Sequence, residues 1–452
     1  MRAGDSPLQP LVIMNVVGLT PALAQHAPNL RALGAVKPLI GVFPAVTMSA
    51  QATLLTGAHP SEHGIVGNAW CERAFGEVRC WPQSNALLER PPFYRIAKER
   101  DTKVTVAKMF WWFNQGSGAD FSVTPKPHYG ADGSKEFDIQ TNPPELAAEL
   151  KRECGEFPFF SFWGPRAGLP SSDWIARASA KVIREKKPTI TLVYLPHLDY
   201  DLQRFGASCA HAARLVGEVD ACAKLVIDAS RAVGARVVAL SEYGISDVNY
   251  PIYVTTVLRR AGLLKVRPGP FGEMLDTFES KAFAVCDHQC AHVYVRGDVE
   301  PVAALLRGAQ GVASVLDRKA QEAFGIQHAR AGDLVLLSKP EAWFAYPYWL
   351  EDKHAPDFAR TVDIHRKTGY DPCELFVDPT ISAPGLKAAT KILRKKLGMR
   401  YLMDLISLDA SIVKGSHGLL PGDPQHGACI IGEAPPHRMV DVAQWALTSA
   451  VS

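Results

Sequence analysis

The alternation of short apolar runs with segments of helical periodicity most constrains how this sequence can fold. Residues 11–17 (LVIMNVV), 190–195 (ITLVYL) and 235–240 (ARVVAL) are apolar and rich in β-branched side chains. Continuous runs of this kind are typical of strands that are buried on both faces of a parallel sheet. Because each run is followed by a helical pattern, the sequence predicts an α/β fold with a mostly parallel central sheet flanked by helices.

The same patterns predict the remaining elements and the organisation of the chain. A strand followed by a turn is expected at 40–46, a further strand at 291–295, and helices at 26–36, 48–55, 209–232, 255–264 and 302–306. Two stretches rich in proline, glycine and aromatic residues interrupt the alternation and could cover one face of the sheet. We therefore divide the chain into three core parts, 1–109, 181–342 and 401–452, and two inserted cap segments, 110–180 and 343–400.

Composition excludes several other classes of protein. With 452 residues, of which 47% are hydrophobic and 21% charged, the chain can bury a large core and does not resemble a disordered or coiled-coil protein. A net charge of +3 gives no reason to expect a nucleic-acid polymer as partner. No apolar stretch is long enough for a membrane span, and the nine cysteines form no CxxC pair. We expect a reduced, cytoplasmic protein.

Polar residues of three distant segments lie directly after predicted strands. Thr47, Asp199 and Glu242 each follow such a strand closely, and open α/β sheets place their sites outside the carboxyl ends of the strands. The three residues are therefore expected to share a site. Thr47 also begins a predicted helix, where the helix dipole favours a bound anion, although a threonine in this position can equally serve as a helix N-cap.

A longer motif surrounds Thr47. Residues 43–68 read FPAVTMSAQATLLTGAHPSEHGIVGN. This segment resembles the nucleophile region of nucleotide pyrophosphatases/phosphodiesterases and of phosphonoacetate hydrolases, both of the alkaline phosphatase superfamily, whose pattern is FP-x-x-T followed by TG-x-x-P-x-x-HG-x-x-x-N. The matching residues are Phe43, Pro44, Thr47, Thr56, Gly57, Pro60, His63, Gly64 and Asn68. The resemblance implies an alkaline-phosphatase-like core in which Thr47 attacks phosphorus and Asn68 holds a phosphoryl oxygen.

The resemblance also implies two divalent metal ions about 3.5–4 Å apart, yet the ligand positions are only partly kept. LPHLDYDLQRFG supplies Asp199 but has Gln203 in place of a histidine, and GSHG supplies His417. SEYG resembles the family's SDHG, so Glu242 replaces an aspartate and Tyr243 a histidine. On the first strand, VVGLTP resembles DGLRP and has no carboxylate at the first position.

These substitutions set the expected ligands. We assign Asp199, Glu242 and His417 as metal ligands, with Gln203 as a weak oxygen ligand. The missing ligands could come from two other segments. CDHQCAH contains Asp287 and His288, and VDIHRKTGYDP contains His365. We prefer His288 and His365 as replacement ligands; the alternative interpretation is that each is a hydrogen-bonded structural residue. Zinc is the first expectation, with manganese or magnesium as alternatives because oxygen ligands predominate.

Three further residues are assigned to substrate binding. Asn15 lies two residues before the lost aspartate position, Tyr243 occupies a former histidine position, and Lys108 follows a strand-like run. In phosphonoacetate hydrolases a lysine after the comparable strand contacts the substrate acid. An exposed lysine with a solvated head is the alternative interpretation of Lys108.

The resulting functional hypothesis is a metal-dependent hydrolase of phosphodiester or nucleotide pyrophosphate bonds. It acts through a covalent phosphothreonine-type intermediate on a small phosphorylated substrate; the oligomeric state stays open. The alternatives are a phosphonate or sulfate ester hydrolase or a phosphotransferase of the same superfamily, and a protein that binds a phosphorylated ligand at a degraded metal site without turnover. A sulfatase that uses formylglycine is disfavoured because Thr47 cannot be converted to that residue.

Overall fold

A twisted sheet of eight strands forms the centre of the protein, in a computed structural model that describes residues 9–131 and 134–451. The first eight residues, part of the polar stretch before the first predicted strand, lie outside the described residues. In spatial order the strands are Ala35–Pro38, Cys429–Gly432, Arg236–Leu240, Leu11–Val16, Ile190–Leu195, Val106–Met109, Phe121–Pro125 and Ile139–Asn142.

The five consecutive strands from Arg236–Leu240 to Phe121–Pro125 are parallel to one another. The two most central strands, Leu11–Val16 and Ile190–Leu195, pair residue by residue, and all of their side chains are buried. Alternate residues of the first strand belong to two separate cores, Val12 and Met14 on one face and Leu11 and Ile13 on the other. The predicted α/β fold with a mostly parallel sheet is confirmed.

Helices cover both faces of this sheet. One core packs under Leu169–Lys186 and Ala212–Ala232, and the other packs under Thr47–Thr56, Phe93–Arg100 and Val442–Val451. The other α-helices are Pro28–Arg31, Pro60–His63, Leu146–Cys154, His197–Phe205, Val254–Arg260, Glu300–Arg307, Arg318–Ala323 and Pro384–Lys396. Within the described part of the chain, no helix is both long and apolar enough to cross a membrane.

A second, four-stranded antiparallel sheet stands beside the first. Its strands, in spatial order, are Ala282–Asp287, Cys290–Val295, Leu334–Ser338 and Val312–Leu316. Small two-stranded ladders complete the structure: Ala69–Glu72 with Glu77–Cys80, His128–Tyr129 with Lys135–Glu136, Ser246–Asp247 with Gly415–Ser416, Tyr250–Ile252 with Ala342–Phe344, and Lys265–Gly269 with Gly272–Asp276. In the four-stranded sheet, the loop between Ala282–Asp287 and Cys290–Val295 carries His288 to the ring of His417.

Two expected elements differ in the structure. The strand predicted at the start of 40–46 is wrong: this segment is a loop, whose one ladder contact among the described residues is an isolated bridge between Ile40 and Arg438. Pro44 has no N–H to donate to a ladder, and Val42 and Phe43 are buried in the core under the helix that follows, whereas Ile40 is exposed. The helix predicted at 26–36 shrinks to the single turn Pro28–Arg31, because the chain then enters the edge strand Ala35–Pro38.

The predicted first cap segment contributes to the central sheet. Phe121–Pro125 and Ile139–Asn142 form one edge of it, and Leu169–Lys186 packs on its face. The division of the chain into core and cap segments therefore stays a prediction.

Candidate active site

Thr47 is the first residue of the helix Thr47–Thr56, which starts beside the carboxyl ends of the parallel strands. The N-cap is the extended Val46, which has no side-chain cap, so Thr47 does not serve as the N-cap. Thr47 is 3% exposed, and its Oγ1 lies 3.0 Å from the hydroxyl oxygen of Tyr243. The threonine hydroxyl is therefore free of the helix backbone and faces a second hydroxyl.

A chain of hydrogen bonds continues from Tyr243. Its hydroxyl donates to Asp199 Oδ1 at 3.2 Å, and Gln203 Nε2 donates to Asp199 Oδ2 at 2.8 Å. The hydroxyl of Tyr370 in turn donates to Gln203 Oε1 at 2.6 Å. Asp199 and Gln203 are one turn apart in the helix His197–Phe205, which follows the central strand, so their side chains lie on the same face.

Glu242 is held by two amide groups. Asn15 Nδ2 and Gln51 Nε2 both donate to Glu242 Oε1, the second at 2.6 Å. Gln51 is one helical turn after Thr47, and its Oε1 accepts the backbone N–H of Trp112 at 2.6 Å. Glu242 Oε2 has no hydrogen-bond partner in the part of the chain that the structure describes.

Burial raises the pKa values of both carboxyl groups. The pKa of Asp199 rises to about 7, chiefly through desolvation, which outweighs the hydrogen bonds from Tyr243 and Gln203. The pKa of Glu242 rises to about 8 for the same reason. Both groups can therefore exchange a proton near neutral pH, a property that is common at functional sites.

Asn68 links the start of the helix Thr47–Thr56 to the second sheet. Its Oδ1 accepts the backbone N–H of Met48 at 2.9 Å, and its Nδ2 donates to Asp287 Oδ1 at 3.1 Å. Its backbone N–H also donates to Asp287 Oδ2 at 2.6 Å. The position that the resemblance assigns to phosphoryl binding is thus fixed beside Thr47 by an aspartate at the end of the strand Ala282–Asp287.

Four stacked rings form one wall of the site. Tyr243 stacks on His417 with ring centroids 3.6 Å apart, His417 meets His288 at 3.6 Å, and His288 stacks on Tyr370 at 3.7 Å. The Nδ1 of His417 is bonded to the carbonyl oxygen of Ala45 at 2.8 Å, which leaves Nε2 directed toward Asp199. Burial lowers the pKa of His417 to about 3, so its imidazole ring is uncharged at neutral pH.

The donor set does not fit the two metal ions that the resemblance implies. Both oxygens of Asp199 accept hydrogen bonds, from Tyr243 and Gln203, where the family has histidine nitrogens. One oxygen of Glu242 accepts two amide donors, and His417 Nε2 is 3.7 Å from the nearest oxygen of Asp199. Among the described residues, no three His, Cys, Asp or Glu side chains are grouped so that they could hold a metal ion.

Two predicted residues have other contacts. Lys108 is fully buried, and its Nζ donates to the carbonyl oxygens of Trp112 and Phe113 at 3.0 Å each. Desolvation lowers the pKa of Lys108 to about 7. His365 is bonded through Nδ1 to the carbonyl oxygen of Cys80 at 3.1 Å. The structure brings together Asn15, Thr47, Asn68, Asp199, Gln203, Glu242, Tyr243, His288 and His417.

Sequence reasoning missed Gln51 and Tyr370. The spacing of Gln51 from Thr47 is the available signal, because residues four apart share a helix face. Tyr370 comes from a proline- and glycine-rich segment without periodicity, so no pattern in the sequence indicates its contact with Gln203 and His288.

The mostly parallel sheet, with Thr47 at a helix N-terminus beside Tyr243 and Asp199, has an alkaline-phosphatase-like fold. The model of the type I phosphodiesterase / nucleotide pyrophosphatase family matches residues 11–371. The chain belongs to this family, and the family match identifies it as a phosphoric ester hydrolase. No curated protein matches the sequence.

Solved structures share the fold across nearly the whole chain. Phosphonoacetate hydrolase from Sinorhizobium meliloti 1021, in complex with phosphonoformate, is 18% identical with a TM-score of 0.61, covering 98% of this chain and 96% of that chain. Murine ectonucleotide pyrophosphatase / phosphodiesterase 5 is 11% identical with a TM-score of 0.60, again covering 98% and 96%. An inactive variant of the murine protein is in complex with AMP (11% identity, TM-score 0.59, coverage 98% and 95%).

Proposed function

We propose that the protein hydrolyses a small phosphodiester or a related phosphorus ester or phosphonate, with Thr47 as the nucleophile. The observation that carries this proposal is the hydrogen-bonded series from Thr47 Oγ1 through the hydroxyl of Tyr243 to Asp199 Oδ1. A hydroxyl is a poor nucleophile until a neighbouring group removes its proton. Here Asp199, through Tyr243, is the group that removes the proton. Thr47 lies at a helix N-terminus, where an anionic substrate is favoured.

The direction of these hydrogen bonds follows from their chemistry. An ionised Asp199 can only accept, so the hydrogen of Tyr243 points to Asp199 and the oxygen of Tyr243 is left as an acceptor. Thr47 then donates to Tyr243, which leaves the lone pairs of Thr47 Oγ1 available for attack on phosphorus. Asp199 is a positioned base that acts through Tyr243.

The first step balances within these residues. The Thr47 oxygen forms a bond to phosphorus while the bond from phosphorus to the leaving oxygen of an ester, or to the leaving carbon of a phosphonate, breaks. The proton of Thr47 passes to Tyr243 as the proton of Tyr243 passes to Asp199, and Asp199 returns a proton to the leaving group. In the second step the oxygen of a water molecule forms a bond to phosphorus while the bond from phosphorus to the Thr47 oxygen breaks; one proton of the water passes to Asp199, and the Thr47 oxygen regains a proton from Asp199 through Tyr243. No step depends on a metal ion.

Two features support a small substrate. Thr47 and Asn68 are buried, so only a compact group can reach them. The ligands bound by structurally similar proteins, namely phosphonoformate, phosphonoacetate and AMP, are also small and anionic. Phosphodiester, nucleotide and phosphonate substrates therefore all belong in the assay panel.

The test measures hydrolysis of bis(p-nitrophenyl) phosphate and of phosphonoacetate by the wild type and by Thr47→Ala and Thr47→Ser. Thr47→Ala is expected to abolish turnover, while Thr47→Ser, which keeps a hydroxyl, retains part of it. Mass spectrometry of peptides from a quenched reaction should find the added phosphoryl group on Thr47 only.

Thr56→Ala is the matched control, because it removes the same hydroxyl at the other end of the same helix. The Thr56 hydroxyl contacts only backbone groups, the carbonyl oxygen of Ala52 and the N–H of Ala58, so activity should persist. Full activity of folded Thr47→Ala would contradict the proposal. A folded wild type that binds these substrates without turnover would instead indicate the ligand-binding alternative.

A further inference from the structure

The helix Pro384–Lys396 lies on the surface without contributing to any core. None of its residues is buried. Leu386, Leu393 and Leu397 are 68%, 57% and 65% exposed, although leucine side chains of this size are usually covered in a folded protein. The exposed apolar surface continues past the end of the helix through Met399. This segment therefore leaves a sizeable apolar surface uncovered.

The exposed leucines lie on one side of the helix. Leu386, Leu393 and Leu397 follow the spacing of seven and four residues that places side chains above one another. Lys387 and Lys391, about 100° and about 140° around the helix axis from this strip, pair with Asp404 at 3.0 and 2.9 Å on the side that faces the protein. The apolar strip thus points away from the protein, and the orientation of the helix is fixed by these two ion pairs.

Positive charge surrounds the apolar strip. Residues 384–403 contain six lysines and arginines and no acidic residue. At 100° per residue, Arg394 and Lys396 flank the leucine strip on its two sides. Arg394, Lys395, Lys396 and Arg400 form no ion pair with a carboxylate among the described residues.

A neighbouring hairpin extends this surface. Phe271, in the turn between Lys265–Gly269 and Gly272–Asp276, is about half exposed. The guanidinium of Arg400 lies 5.0 Å from the centre of its ring. We define the basic apolar surface as Leu386, Leu393, Leu397, Arg394, Lys396, Arg400 and Phe271.

We propose that the basic apolar surface docks on an anionic lipid bilayer. A helix with an apolar strip flanked by lysine and arginine lies in the plane of a membrane interface, with the strip in the acyl boundary and the cations at anionic headgroups. An anionic bilayer complements the charge of this surface, because its headgroups would neutralise the lysine and arginine side chains beside the apolar strip. An apolar protein partner would leave these cations unneutralised. Docking brings the hydrolase to a surface and is independent of its active site.

The test is co-sedimentation of the full chain with vesicles of phosphatidylcholine alone or mixed with phosphatidylserine. The wild type should sediment with the mixed vesicles, and added salt should weaken its binding. Arg394→Glu/Lys396→Glu/Arg400→Glu should bind the mixed vesicles at least on the order of a hundredfold more weakly. Leu393→Ser/Leu397→Ser should also lose binding, because the apolar strip no longer enters the bilayer.

Two controls match these variants. Arg100→Glu/Lys103→Glu/Lys319→Glu makes the same change of charge at exposed positions elsewhere. Leu225→Ser/Leu420→Ser changes exposed leucines elsewhere. Both controls should sediment like the wild type.

Binding of the charge variant equal to that of the wild type, or no wild-type binding to mixed vesicles, would overturn the proposal. A concentration-dependent oligomer in gel filtration that Leu393→Ser/Leu397→Ser abolishes, without vesicle binding, would show a contact between copies instead. Hydrolysis that depends on Thr47 should be the same in all these variants, which separates this proposal from that of the active site.

Discussion

The hydroxyl of Tyr243 lies within hydrogen-bond distance of the Thr47 hydroxyl and can be tested separately from the rest of the site. Tyr243→Phe keeps the ring that stacks on His417 but removes the link to Asp199. We expect turnover to fall about a hundredfold or more, as for loss of a general base, with a loss of stability no larger than that of the control, because each change removes one buried hydroxyl. Steady-state assays and thermal unfolding measure the two quantities.

Tyr294→Phe is the matched control for this variant. Tyr294 is also buried, but its hydroxyl contacts the backbone of Arg330 and Cys71. The control should lose some stability and keep its turnover. Equal activity of Tyr243→Phe and the wild type would remove Tyr243 from the proposed mechanism.

Lys108 provides a prediction about stability and pH. Its pKa in the folded protein is about 7, below the ordinary lysine value of about 10.4, because its amine is desolvated. Between these pH values the unfolded chain binds more protons than the folded protein, so the stability of the wild type rises with pH. Urea unfolding should show the wild type gaining stability relative to Lys108→Met as pH increases from about 7 to about 10.

The control for this pH dependence is Lys103→Met, a change at an exposed lysine just before the same strand. Its stability should follow that of the wild type over the whole range. A constant difference between the wild type and Lys108→Met from pH 7 to 10 would mean that the folded protein does not shift the pKa of Lys108.

At the scale of elements, the sequence predicts best where burial is complete on both faces. The predicted and observed bounds of the strand Ile190–Leu195 agree, because all of its side chains are buried and the sequence is therefore apolar throughout. The loop at 40–46 is equally apolar, yet its burial under a helix requires no strand ladder. Apolar runs therefore indicate burial, and only neighbouring strands decide whether they form a sheet.

The same distinction applies to the site. Thr47, Asp199 and Glu242 were predicted to share a site because the carboxyl ends of parallel strands lie along one edge of the sheet. Gln51 and Tyr370 reach the site through tertiary contacts that leave no periodic signal. The sequence reveals which ligand positions are replaced, whereas only the structure shows the replacing side chains bonded to one another.

This bonding leads to a prediction about metals. The amide of Gln203 and the hydroxyl of Tyr243 already occupy both oxygens of Asp199, so a divalent ion would have to break these bonds. We expect isothermal titration calorimetry to find no stoichiometric binding of zinc, manganese or magnesium, and chelator treatment to leave hydrolysis unchanged. Loss of activity with EDTA that zinc restores would contradict this expectation.

At the scale of the whole molecule, one buried ion cluster connects both sheets over the site. Lys367 is fully buried, and its Nζ pairs with Asp371 at 2.6 Å and with Glu374 at 2.8 Å. The segment that contains them bridges the second sheet at Cys286 and Gly369.

Other contacts of this segment reach the helix His197–Phe205 and the loop that contains Trp163. Arg204 Nε donates to the carbonyl oxygen of Leu375 at 3.0 Å, and Trp163 Nε1 donates to Glu374. Tyr370, between Lys367 and Glu374, closes the ring stack against His288. The ion cluster therefore holds the wall of the active site as well as the connection between the sheets.

Lys367→Met should consequently affect both stability and catalysis. It leaves Asp371 and Glu374 buried without their cation, and breaking such a cluster costs about 3–5 kcal/mol in the free energy of unfolding. Urea unfolding measures this loss. Turnover should fall as well, because Tyr370 loses its support. Lys353→Met removes an exposed lysine that pairs with an exposed carboxylate, and it should leave both quantities near those of the wild type. If Lys367→Met were as stable as Lys353→Met, the cluster would not hold the two sheets together.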